Sequence, residues 1–487
     1  MSDAKLVLPK ATRPYYGGQW HEPVLAQATD SWSPATGEKL VTVADAGIGD
    51  VDAIVAAAKA GFEIWRDVVP LERARLLREL AAILRRHADE LALLDAVDCG
   101  NPVRELRSDV NIATGNLEFF AGLVTEMKGV SVPMGPDAIN FSVREPYGVV
   151  ARIAPFNHPL MFTAGKIGAP LAAGNSIIVK PPEQAPLSAL RAAELFHGVL
   201  PDGVFNVAPG GREMASALVR HPGVAMVSAT GSVPTGQAIA RDAADGLKPL
   251  LLELGGKNAL VALPDADPDT VAAAAVKGMN FTWCGQSCGS TSRAFIHEDI
   301  YDAVLERLPH YAAKHRPGLP QDRETTMGAL ISRQQLEKVK GFIASGLAEG
   351  ARLVCGGGAP ADQRLRNGFF LEPTVFADVT MSMRIAREEI FGPVLSILRW
   401  SDDDEVMREV NSVGYGLTFS VFARDITRAH RFVARAEAGF CWINEVGPHF
   451  LGTSFGGYKL TGNGREESLA ELLAFTQEKN VYVNLRR

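Results

Sequence analysis

The chain has 487 residues, of which 47% are hydrophobic and 22% charged, the composition of an ordinary globular protein. Because a chain of this length is too long for one hydrophobic core, we expect two or three domains. The net charge of −7, from 49 basic and 56 acidic residues, comes without a basic stripe or a charged tail and argues against nucleic acid as a partner.

The first predicted elements are helices between residues 50 and 98. Asp50 is a candidate N-cap, and apolar side chains recur at helical spacing between residues 76 and 84. Pro70 fits the first turn of the second helix, where a backbone N–H is not needed. Residues 129–143 then predict two short strands around a Gly-Pro-Asp turn, a ribbon that is marginal alone and should pack elsewhere.

Short apolar runs alternate with helical stretches from residue 149 to residue 262. The predicted strands are residues 149–153, 176–179, 204–207, 225–228 and 250–252. Such alternation is typical of βα units that form a parallel sheet with helices on both faces. Ligands bind such sheets at the carboxyl ends of the strands, so the residues just after each run are candidates for a site.

A second alternating region follows and predicts a separate α/β domain. Its strands are expected at residues 294–296, 352–354, 394–397 and 420–422. The tail, residues 479–485, alternates polar and apolar side chains. It would be an exposed edge strand unless it pairs with another subunit or with the ribbon of residues 129–143.

Cys288 lies among glycines and small polar residues, a setting that a buried structural cysteine does not need. Glu253 ends an apolar run and precedes the double glycine of the segment 252–257. A thiol nucleophile and a carboxylate base are the two groups that thioester chemistry requires. On its own, Cys288 could equally be a protease-like nucleophile or a redox sensor.

Asn157 follows the first strand of the predicted parallel sheet and stands between Pro155 and Pro159. Its amide could donate to a developing oxyanion, although an isolated asparagine more often satisfies a turn. The neighbouring His158 would ordinarily make a polar contact without further role.

Two further turns could bind a dinucleotide. Lys180 and Glu183 flank two prolines after a predicted strand, and both could reach the hydroxyls of an adenosine ribose. Gly231 and Ser232 form a turn into a helix, whose free backbone N–H groups can meet a pyrophosphate. Taken alone, the first is more simply a surface turn, and the second lacks the Gly-x-Gly-x-x-Gly pattern.

Together these segments resemble the NAD(P)-dependent aldehyde dehydrogenase superfamily, of the non-phosphorylating, hydrolytic type, over essentially the whole chain. The motifs that carry the resemblance are Pro155-Phe-Asn157, Lys180-Pro-Pro-Glu183, Thr230-Gly-Ser232, Leu252-Glu-Leu-Gly-Gly-Lys257, Phe281-x-x-x-Gly-Gln-x-Cys288, Glu389-Ile-Phe-Gly-Pro393 and Ser454-Phe-Gly-Gly-Tyr-Lys459. The resemblance implies an α/β fold in three parts. A Rossmann-like parallel-sheet domain for NAD would comprise residues 1–128 and 147–258, a second α/β catalytic domain carrying the thiol residues 259–455, and a small β oligomerisation ribbon with bridging segments residues 129–146 and 456–487.

The resemblance also implies a mechanism. Cys288 would attack the aldehyde carbon, with the oxyanion held by the Asn157 amide and the Cys288 backbone N–H. Hydride would pass to the nicotinamide and leave a thioester, which water activated by Glu253 would hydrolyse. Lys166 matches a lysine that the family places near the thiol. Its positive charge or a proton relay would help, because a free thiol with a pKa of about 8.5 is only slightly ionised at neutral pH.

The same resemblance assigns the cofactor contacts. Lys180 and Glu183 would hold the adenosine ribose, Ser232 the pyrophosphate, and Glu389 with Phe391 the nicotinamide ribose and ring. The other implied contacts are Pro155, Phe156, Gly210, Gly231, Leu254 and Gly255. A carboxylate at the ribose 2′-position accepts a hydroxyl hydrogen bond but repels a 2′-phosphate, so Glu183 predicts NAD rather than NADP.

A departure from the family pattern bears on the substrate. Gly165 occupies a position where many relatives carry a large aromatic side chain lining the aldehyde tunnel, and Ser287 and Gly289 flank the thiol with small groups. These residues predict a tunnel with room for a bulky or aromatic aldehyde. The expected apolar wall consists of Phe162, Trp442, Phe450 and Phe455. Arg293 follows the thiol closely in sequence, so a semialdehyde acid stays open as a substrate.

Two alternatives to the hydrolytic enzyme remain. A CoA-acylating semialdehyde dehydrogenase would pass the thioester to another thiol, and Glu253 argues against it because no water then needs activation. A catalytically silent structural member is disfavoured because Cys288, Glu253 and Asn157 occur together.

The remaining expectations concern compartment and assembly. The cysteines, Cys99, Cys284, Cys288, Cys355 and Cys441, are a sparse, odd set that suits reduced thiols in a cytosol. No His or Cys pair accompanies Cys284, so no metal is expected, and a redox role for it has little support. With no signal-peptide pattern and no run of about 18 apolar residues, we expect a cytoplasmic protein. Family resemblance and the edge-like tail predict a homodimer or homotetramer.

Overall fold

The computed structural model describes residues 5–486. The helices in this range are α1 (Val51–Trp65), α2 (Pro70–Arg86), α3 (Ala88–Cys99), α4 (Val103–Gly122), α5 (Gly168–Ala173), α6 (Leu187–Phe196), α7 (Arg212–Arg220), α8 (Val233–Ala244), α9 (Pro268–Gly278), α10 (Glu298–Ala312), α11 (Arg333–Ala348), α12 (Arg384–Arg387), α13 (Asp403–Asn411), α14 (Ile426–Arg435) and α15 (Leu469–Ala474). A π-helical turn at Met161–Gly165 and a 3₁₀ turn at Phe281–Trp283 lie next to the site described below.

The strands of the same range are β1 (Tyr15–Tyr16), β2 (Gln19–Trp20), β3 (Ala28–Trp32), β4 (Lys39–Ala44), β5 (Ser131–Pro133), β6 (Ala138–Pro146), β7 (Val149–Ile153), β8 (Ser176–Lys180), β9 (Phe205–Val207), β10 (Val224–Thr230), β11 (Leu250–Glu253), β12 (Ala259–Ala262), β13 (Arg293–His297), β14 (Arg352–Cys355), β15 (Thr374–Ala377), β16 (Val394–Trp400), β17 (Tyr415–Gly416), β18 (Thr418–Phe422), β19 (Phe440–Ile443), β20 (Tyr458–Lys459), β21 (Gly462–Asn463) and β22 (Thr476–Asn484). They form two large sheets, a three-stranded ribbon and two short strand pairs.

The first large sheet confirms the predicted parallel sheet. Its strand order is β2-β1-β9-β8-β7-β10-β11-β21, and β9, β8, β7, β10 and β11 run parallel. Helices cover both faces, since Val149 and Ala151 pack with α1, α7 and α8 while Val150 packs with the cluster of α2 to α6. Burial on both faces explains why these strands appear in the sequence as continuous apolar runs.

The second large sheet has the order β14-β15-β16-β13-β12-β18-β19, with only β14 antiparallel. The four strands predicted for this region are present as β13, β14, β16 and β18. Strands β12, β15 and β19 were not predicted. β12 follows β11 after residues 254–258, without the helix that an alternating pattern contains, so the chain crosses there from one sheet to the other.

The ribbon consists of β5, β6 and β22. Its two longer strands pair antiparallel along their whole length, from Thr476 opposite Pro146 to Asn484 opposite Ala138. The tail therefore pairs with the ribbon, which is one of the two pairings predicted for this edge strand.

Near the amino terminus, Asp50 precedes α1 as expected, but its carboxylate accepts hydrogen bonds from the backbone of Gly47 and Val24. No helix within residues 5–486 is long and apolar enough to cross a membrane.

Candidate active site

Cys288 lies in the loop between the 3₁₀ turn Phe281–Trp283 and β13, and its side chain is half-buried. Gly285 has a φ of 66°, and a Cβ placed on it would lie 2.2 Å from the Gly392 carbonyl oxygen, so the loop needs glycine there. The Gln286 side chain holds the loop, since its Nε2 donates to the Ala329 carbonyl (3.3 Å) and its Oε1 accepts from the Ile331 N–H (3.0 Å). The thiol is thus presented on a fixed backbone.

Asn157 lies beside this loop although it follows β7 in the other sheet. Its Nδ2 donates to the Gln286 carbonyl at 2.9 Å, and its own carbonyl accepts from Asn101 Nδ2 at 2.8 Å. The residue is buried, with 5% of its surface exposed. An amide NH₂ has two N–H donors, so one remains for a developing negative charge.

The thiol of Cys288 is held in its protonated form in this state. Burial raises its pKa to about 12, and the carboxylates of Glu253, Glu389 and Glu466 contribute to the rise. Negative neighbours disfavour a thiolate, so a base or an added positive charge is needed to form one.

Glu253 is the last residue of β11 and is buried, with 4% of its surface exposed. Neither carboxylate oxygen has a hydrogen-bond partner within the described part of the chain. Burial and Glu466 raise the pKa of Glu253 well above its ordinary value, while Lys166 and Arg465 oppose the rise. A Cβ on Gly456 would lie 2.7 Å from Glu253 Oε1, so the glycine of the segment 454–459 makes room for this carboxylate.

Lys166 is surrounded by carboxylates. Its Nζ lies 2.9 Å from Glu466 Oε2 and 3.8 Å from Glu467 Oε1. Burial alone would lower the pKa of Lys166, but Glu466, Glu471 and Glu467 raise it above its usual range. The lysine is therefore an ammonium group, and its charge is neutralised by these glutamates.

A cleft of 310 Å³ opens at the carboxyl ends of β7, β8 and β10. It faces α11, a helix that packs with the second sheet. The predicted residues that line it are Pro155, Phe156, Asn157, Lys180, Glu183, Gly231, Ser232, Gly255, Cys288, Glu389 and Phe391. A single cavity thus joins the predicted cofactor residues to the thiol.

One end of the cleft carries the groups suited to a ribose and a pyrophosphate. Lys180 Nζ lies 3.5 Å from Glu183 Oε1. Ser232 caps α8, where its side chain accepts from the Thr235 N–H at 3.3 Å. The first turn of a helix leaves backbone N–H groups without helical partners, and these favour an anion.

The other end of the cleft is built around Phe391. Its φ of 54° is unusual for a non-glycine residue, and Gln335 Nε2 holds the strained backbone by donating to the Phe391 carbonyl at 2.7 Å. The Phe391 ring meets the Phe156 ring edge-on at 5.7 Å. Glu389 Oε1 accepts from the Gly256 N–H at 2.9 Å, and a Cβ on Gly255 would lie 2.1 Å from Glu389 Oε2.

Gln335 and Lys338 line the cleft but were missed by sequence reasoning. They lie one turn apart on α11, a spacing that is common on any solvated helix face. No local pattern separates them from the other polar residues of that helix.

Three predicted site residues are not among those that line this cleft. A Cβ on Gly210 would lie 2.6 Å from the Ala46 carbonyl oxygen, and the Leu254 side chain fills the space beside Gly236. A Cβ on Gly165 would lie 2.8 Å from the Cα of Ala113 in α4. The Cβ direction of Gly165 is therefore occupied by a neighbouring helix, and the effect of this glycine on a tunnel stays a prediction.

The other predicted tunnel residues differ in placement. Phe162 is buried with its ring beside His158 and the Arg152 guanidinium, and Phe455 packs on Phe440. Phe450 is 67% exposed and forms no wall.

The small groups beside the thiol do leave room. A Cβ on Gly289 would meet only the Ser287 Oγ, at 3.8 Å. Arg293 is buried and donates to the Lys257 and Val410 carbonyls, so its guanidinium is committed to the protein interior.

The cysteines are all free, and burial raises the pKa of Cys284 above its ordinary value. Within residues 5–486, no group of three or more His, Cys, Asp or Glu side chains is arranged to hold a metal ion.

Known proteins resemble this chain over nearly its whole length. The model of the aldehyde dehydrogenase family matches residues 20–481. The chain is 49% identical over 479 residues to aldehyde dehydrogenase tropH of Talaromyces stipitatus, covering 97% of this chain and 93% of that protein. It is 42% identical over 479 residues to betaine aldehyde dehydrogenase of Brucella melitensis, covering 98% of both.

Solved structures are similarly close. An aldehyde dehydrogenase from Bacillus cereus in complex with NAD⁺ superposes with a TM-score of 0.94 at 37% identity, covering 98% of this chain and 97% of that one. Betaine aldehyde dehydrogenase from Staphylococcus aureus in complex with NAD⁺ gives a TM-score of 0.95 at 32% identity, covering 98% and 96%.

Proposed function

The chain belongs to the aldehyde dehydrogenase family, and from that premise we propose that it oxidises an aldehyde to a carboxylic acid with NAD through a thioester on Cys288. The observation that carries the proposal is the meeting of three groups from separate elements. The Asn157 amide contacts the thiol loop, Cys288 lines the cleft, and Glu253 raises the pKa of that thiol. A nucleophile, an oxyanion donor and a base together suit acyl chemistry.

In the proposed first step, the Cys288 sulfur bonds to the aldehyde carbon. The Asn157 N–H that Gln286 does not use, together with the Cys288 backbone N–H, stabilises the resulting oxyanion. When bound, NAD would accept the hydride that the aldehyde carbon loses as the thioester forms, and the positive charge of its ring would favour loss of the Cys288 thiol proton to solvent.

In the proposed second step, Glu253 removes a proton from water as the water oxygen attacks the thioester carbon. The carbon–sulfur bond breaks, the acid leaves, and Cys288 is regenerated. The raised pKa makes the Glu253 carboxylate a stronger base than an exposed glutamate. We propose that Lys166 relays that proton, because its ammonium group lies beside the carboxylates of Glu466 and Glu467.

The residues of the cleft fit a dinucleotide. Lys180 and Glu183 would hold the adenosine ribose, the N-terminus of α8 at Ser232 the pyrophosphate, and Glu389 with Phe391 the nicotinamide ribose and ring. The Glu183 carboxylate supports NAD as the preferred cofactor, since it repels a 2′-phosphate. Two structural relatives are described as NAD⁺ complexes.

A bulky or aromatic aldehyde is the proposed substrate class. Because Gly165 packs on α4, the proposal of a bulky substrate rests on the small groups of Ser287 and Gly289 beside the thiol. An aldehyde panel monitored by NADH absorbance tests it, and betaine aldehyde belongs in the panel because a relative is named for it. A higher kcat/KM for acetaldehyde than for benzaldehyde-like substrates would reject the class without rejecting the reaction.

We also propose that the chain forms a homodimer or homotetramer through the ribbon. Its exposed apolar side chains are Val130, Val132, Met134, Ile139, Tyr482 and Val483. Exposed apolar side chains clustered on a ribbon of this kind commonly mark a protein interface. Light scattering during size exclusion distinguishes the monomer from either assembly.

A further inference from the structure

A row of ionisable side chains leads from the surface to the buried cluster around Lys166. His449 Nδ1 lies 2.5 Å from Glu467 Oε2, and Glu467 Oε1 lies 3.8 Å from Lys166 Nζ. Lys166 in turn lies 2.9 Å from Glu466. The exposed fraction of the side chains falls from 38% for His449 to 11% for Glu467 and 3% for Lys166. The row therefore joins solvent to the interior.

The same backbone segment ties both ends of this row to Glu253. Phe455 stacks on His449 with ring centroids 4.6 Å apart, and it exchanges two backbone hydrogen bonds with Glu466. The next residue, Gly456, is the one that borders Glu253 Oε1. The imidazole therefore packs on the residue that precedes the glycine beside the base.

Glu253 needs such a route if the proposed function is correct. Each hydrolysis leaves one proton on this carboxylate, which is buried and has no hydrogen-bond partner within residues 5–486. We propose that His449 and Glu467 form the outer end of a proton path that returns Glu253 to its ionised form. The inference rests on the proposed function and names two positioning residues, since neither is assigned a contact with substrate or cofactor.

The proton balance is simple. Lys166 gives one proton to Glu467 and, through a bridging water, takes one from Glu253, so it ends each turnover as an ammonium group. Glu467 passes its proton to Nδ1 of His449, and the ring releases a different proton from Nε2 to water. An imidazole can do this because one ring nitrogen accepts a proton while the other donates one. One proton leaves per turnover, and no electrons move.

Charged side chains next to the row favour transfer of a proton along it. Glu466 is also 3.6 Å from the Arg152 guanidinium, and Glu471 on α15 accepts from the Glu467 N–H. Burial raises the pKa of Glu471 to about 7. Burial alone would also raise the pKa of Glu467, but the hydrogen bond from His449 and the charge of Lys166 lower it.

The four glutamates, residues 253, 466, 467 and 471, interact with Lys166, Arg152, Arg465 and His449. Protons in such a coupled cluster belong to the group of side chains rather than to one residue.

The backbone of Glu467 is itself constrained. Its φ of 67° is strained for a residue with a side chain, and its carbonyl accepts from the Gly452 N–H at 2.7 Å. Glu467 adopts this conformation at a cost in free energy. The conformation places the Glu467 carboxylate between His449 and Lys166.

The test compares His449→Phe, which keeps a ring against Phe455, and Glu467→Gln with wild type. The matched control is His430→Phe, because His430 is an exposed histidine on α14 outside the row. Acid quench followed by intact mass measurement reports the fraction of Cys288 carrying an acyl group, and NADH absorbance reports the first turnover.

We expect both variants to form NADH at the wild-type rate in the first turnover and then to accumulate acyl-enzyme. Their kcat at pH 7 should fall by about tenfold, which is less than the loss caused by removing a direct general base. Added imidazole should restore kcat in a His449→Ala variant. An unchanged kcat, or a loss of kcat without accumulation of acyl-enzyme, overturns the proton path. Failure of the proposed function is separate, because wild type would then produce no NADH with any aldehyde. If Glu467→Gln does not fold, the His449 variants and imidazole rescue decide alone.

Discussion

The side-chain amide of Asn157 donates to the backbone carbonyl of Gln286 at 2.9 Å. This hydrogen bond joins the end of β7 in the first sheet to the loop that carries Cys288 ahead of β13 in the second. The candidate site is therefore assembled across the two sheets, and its geometry depends on both.

Removing the Asn157 amide tests its proposed role at the oxyanion. In Asn157→Ala, kcat/KM should fall by about 10²- to 10³-fold, because a lost oxyanion donor costs that much in other enzymes. NAD affinity, measured by fluorescence titration, should stay within about twofold. Asn480→Ala on the ribbon is the matched control. A kcat/KM close to wild type would remove Asn157 from the oxyanion site.

Replacing Glu253 by Gln tests its role in hydrolysis. The variant should release about one NADH per active site in a burst and then turn over slowly, because an amide cannot accept a proton from water. Stopped-flow absorbance measures both phases. Cys288→Ser is the companion variant, which should give no burst while still binding NAD. A steady rate near wild type in Glu253→Gln would contradict the assignment.

Cofactor choice depends on the Glu183 carboxylate. Glu183→Gln removes the negative charge but keeps a hydrogen-bonding side chain beside Lys180, which lies 3.5 Å away. We expect the ratio of kcat/KM for NADP to that for NAD to rise by about tenfold or more, since repulsion of a 2′-phosphate is relieved. Steady-state kinetics with both cofactors measures the ratio. Comparable use of the two cofactors by wild type would already refute the role of Glu183.

The packing of Gly165 on α4 predicts a stability effect. In Gly165→Ala the new methyl group would lie 2.8 Å from Ala113 Cα, so unfolding should become easier by about 1–3 kcal/mol. Gly341→Ala is the control, because that glycine lies in α11 with nothing within 4 Å of a Cβ. The control should gain roughly 0.5–1 kcal/mol from higher helix propensity. Thermal or urea denaturation compares them, and equal stability of the two variants would contradict the packing argument.

Asp95 predicts a pH-dependent contribution to stability. It is buried in α3, accepts from the Leu160 N–H at 3.0 Å, and burial raises its pKa from 3.8 to about 8. Because the folded pKa exceeds the unfolded one, folding takes up a proton between these values, and wild-type stability falls as the pH rises through them. Asp95→Asn lacks this term, so its Tm relative to wild type should increase from pH 5 to pH 8. A difference in Tm that is constant with pH would contradict this.

Much of the fold followed from local patterns. The strands from β7 to β11 matched the predicted runs closely, because burial on both faces leaves continuous apolar segments in the sequence. Strand β12 was missed because a direct crossing between sheets leaves no helical signal. Cys288, Asn157 and Glu253 could be proposed as site residues from the sequence because each stands close to prolines or glycines.

The sequence by itself determined the parallel strands from β7 to β11 and the chemical groups that follow β7, β8, β10 and β11, because both depend on neighbouring residues. Only the tertiary structure decided that Gly165 faces Ala113, that Gln335 holds the Phe391 backbone, and that His449 reaches Lys166 through Glu467. These contacts join residues far apart in the chain. Their geometry is set by how helices and sheets pack, and packing leaves no mark in the spacing of the residues that meet.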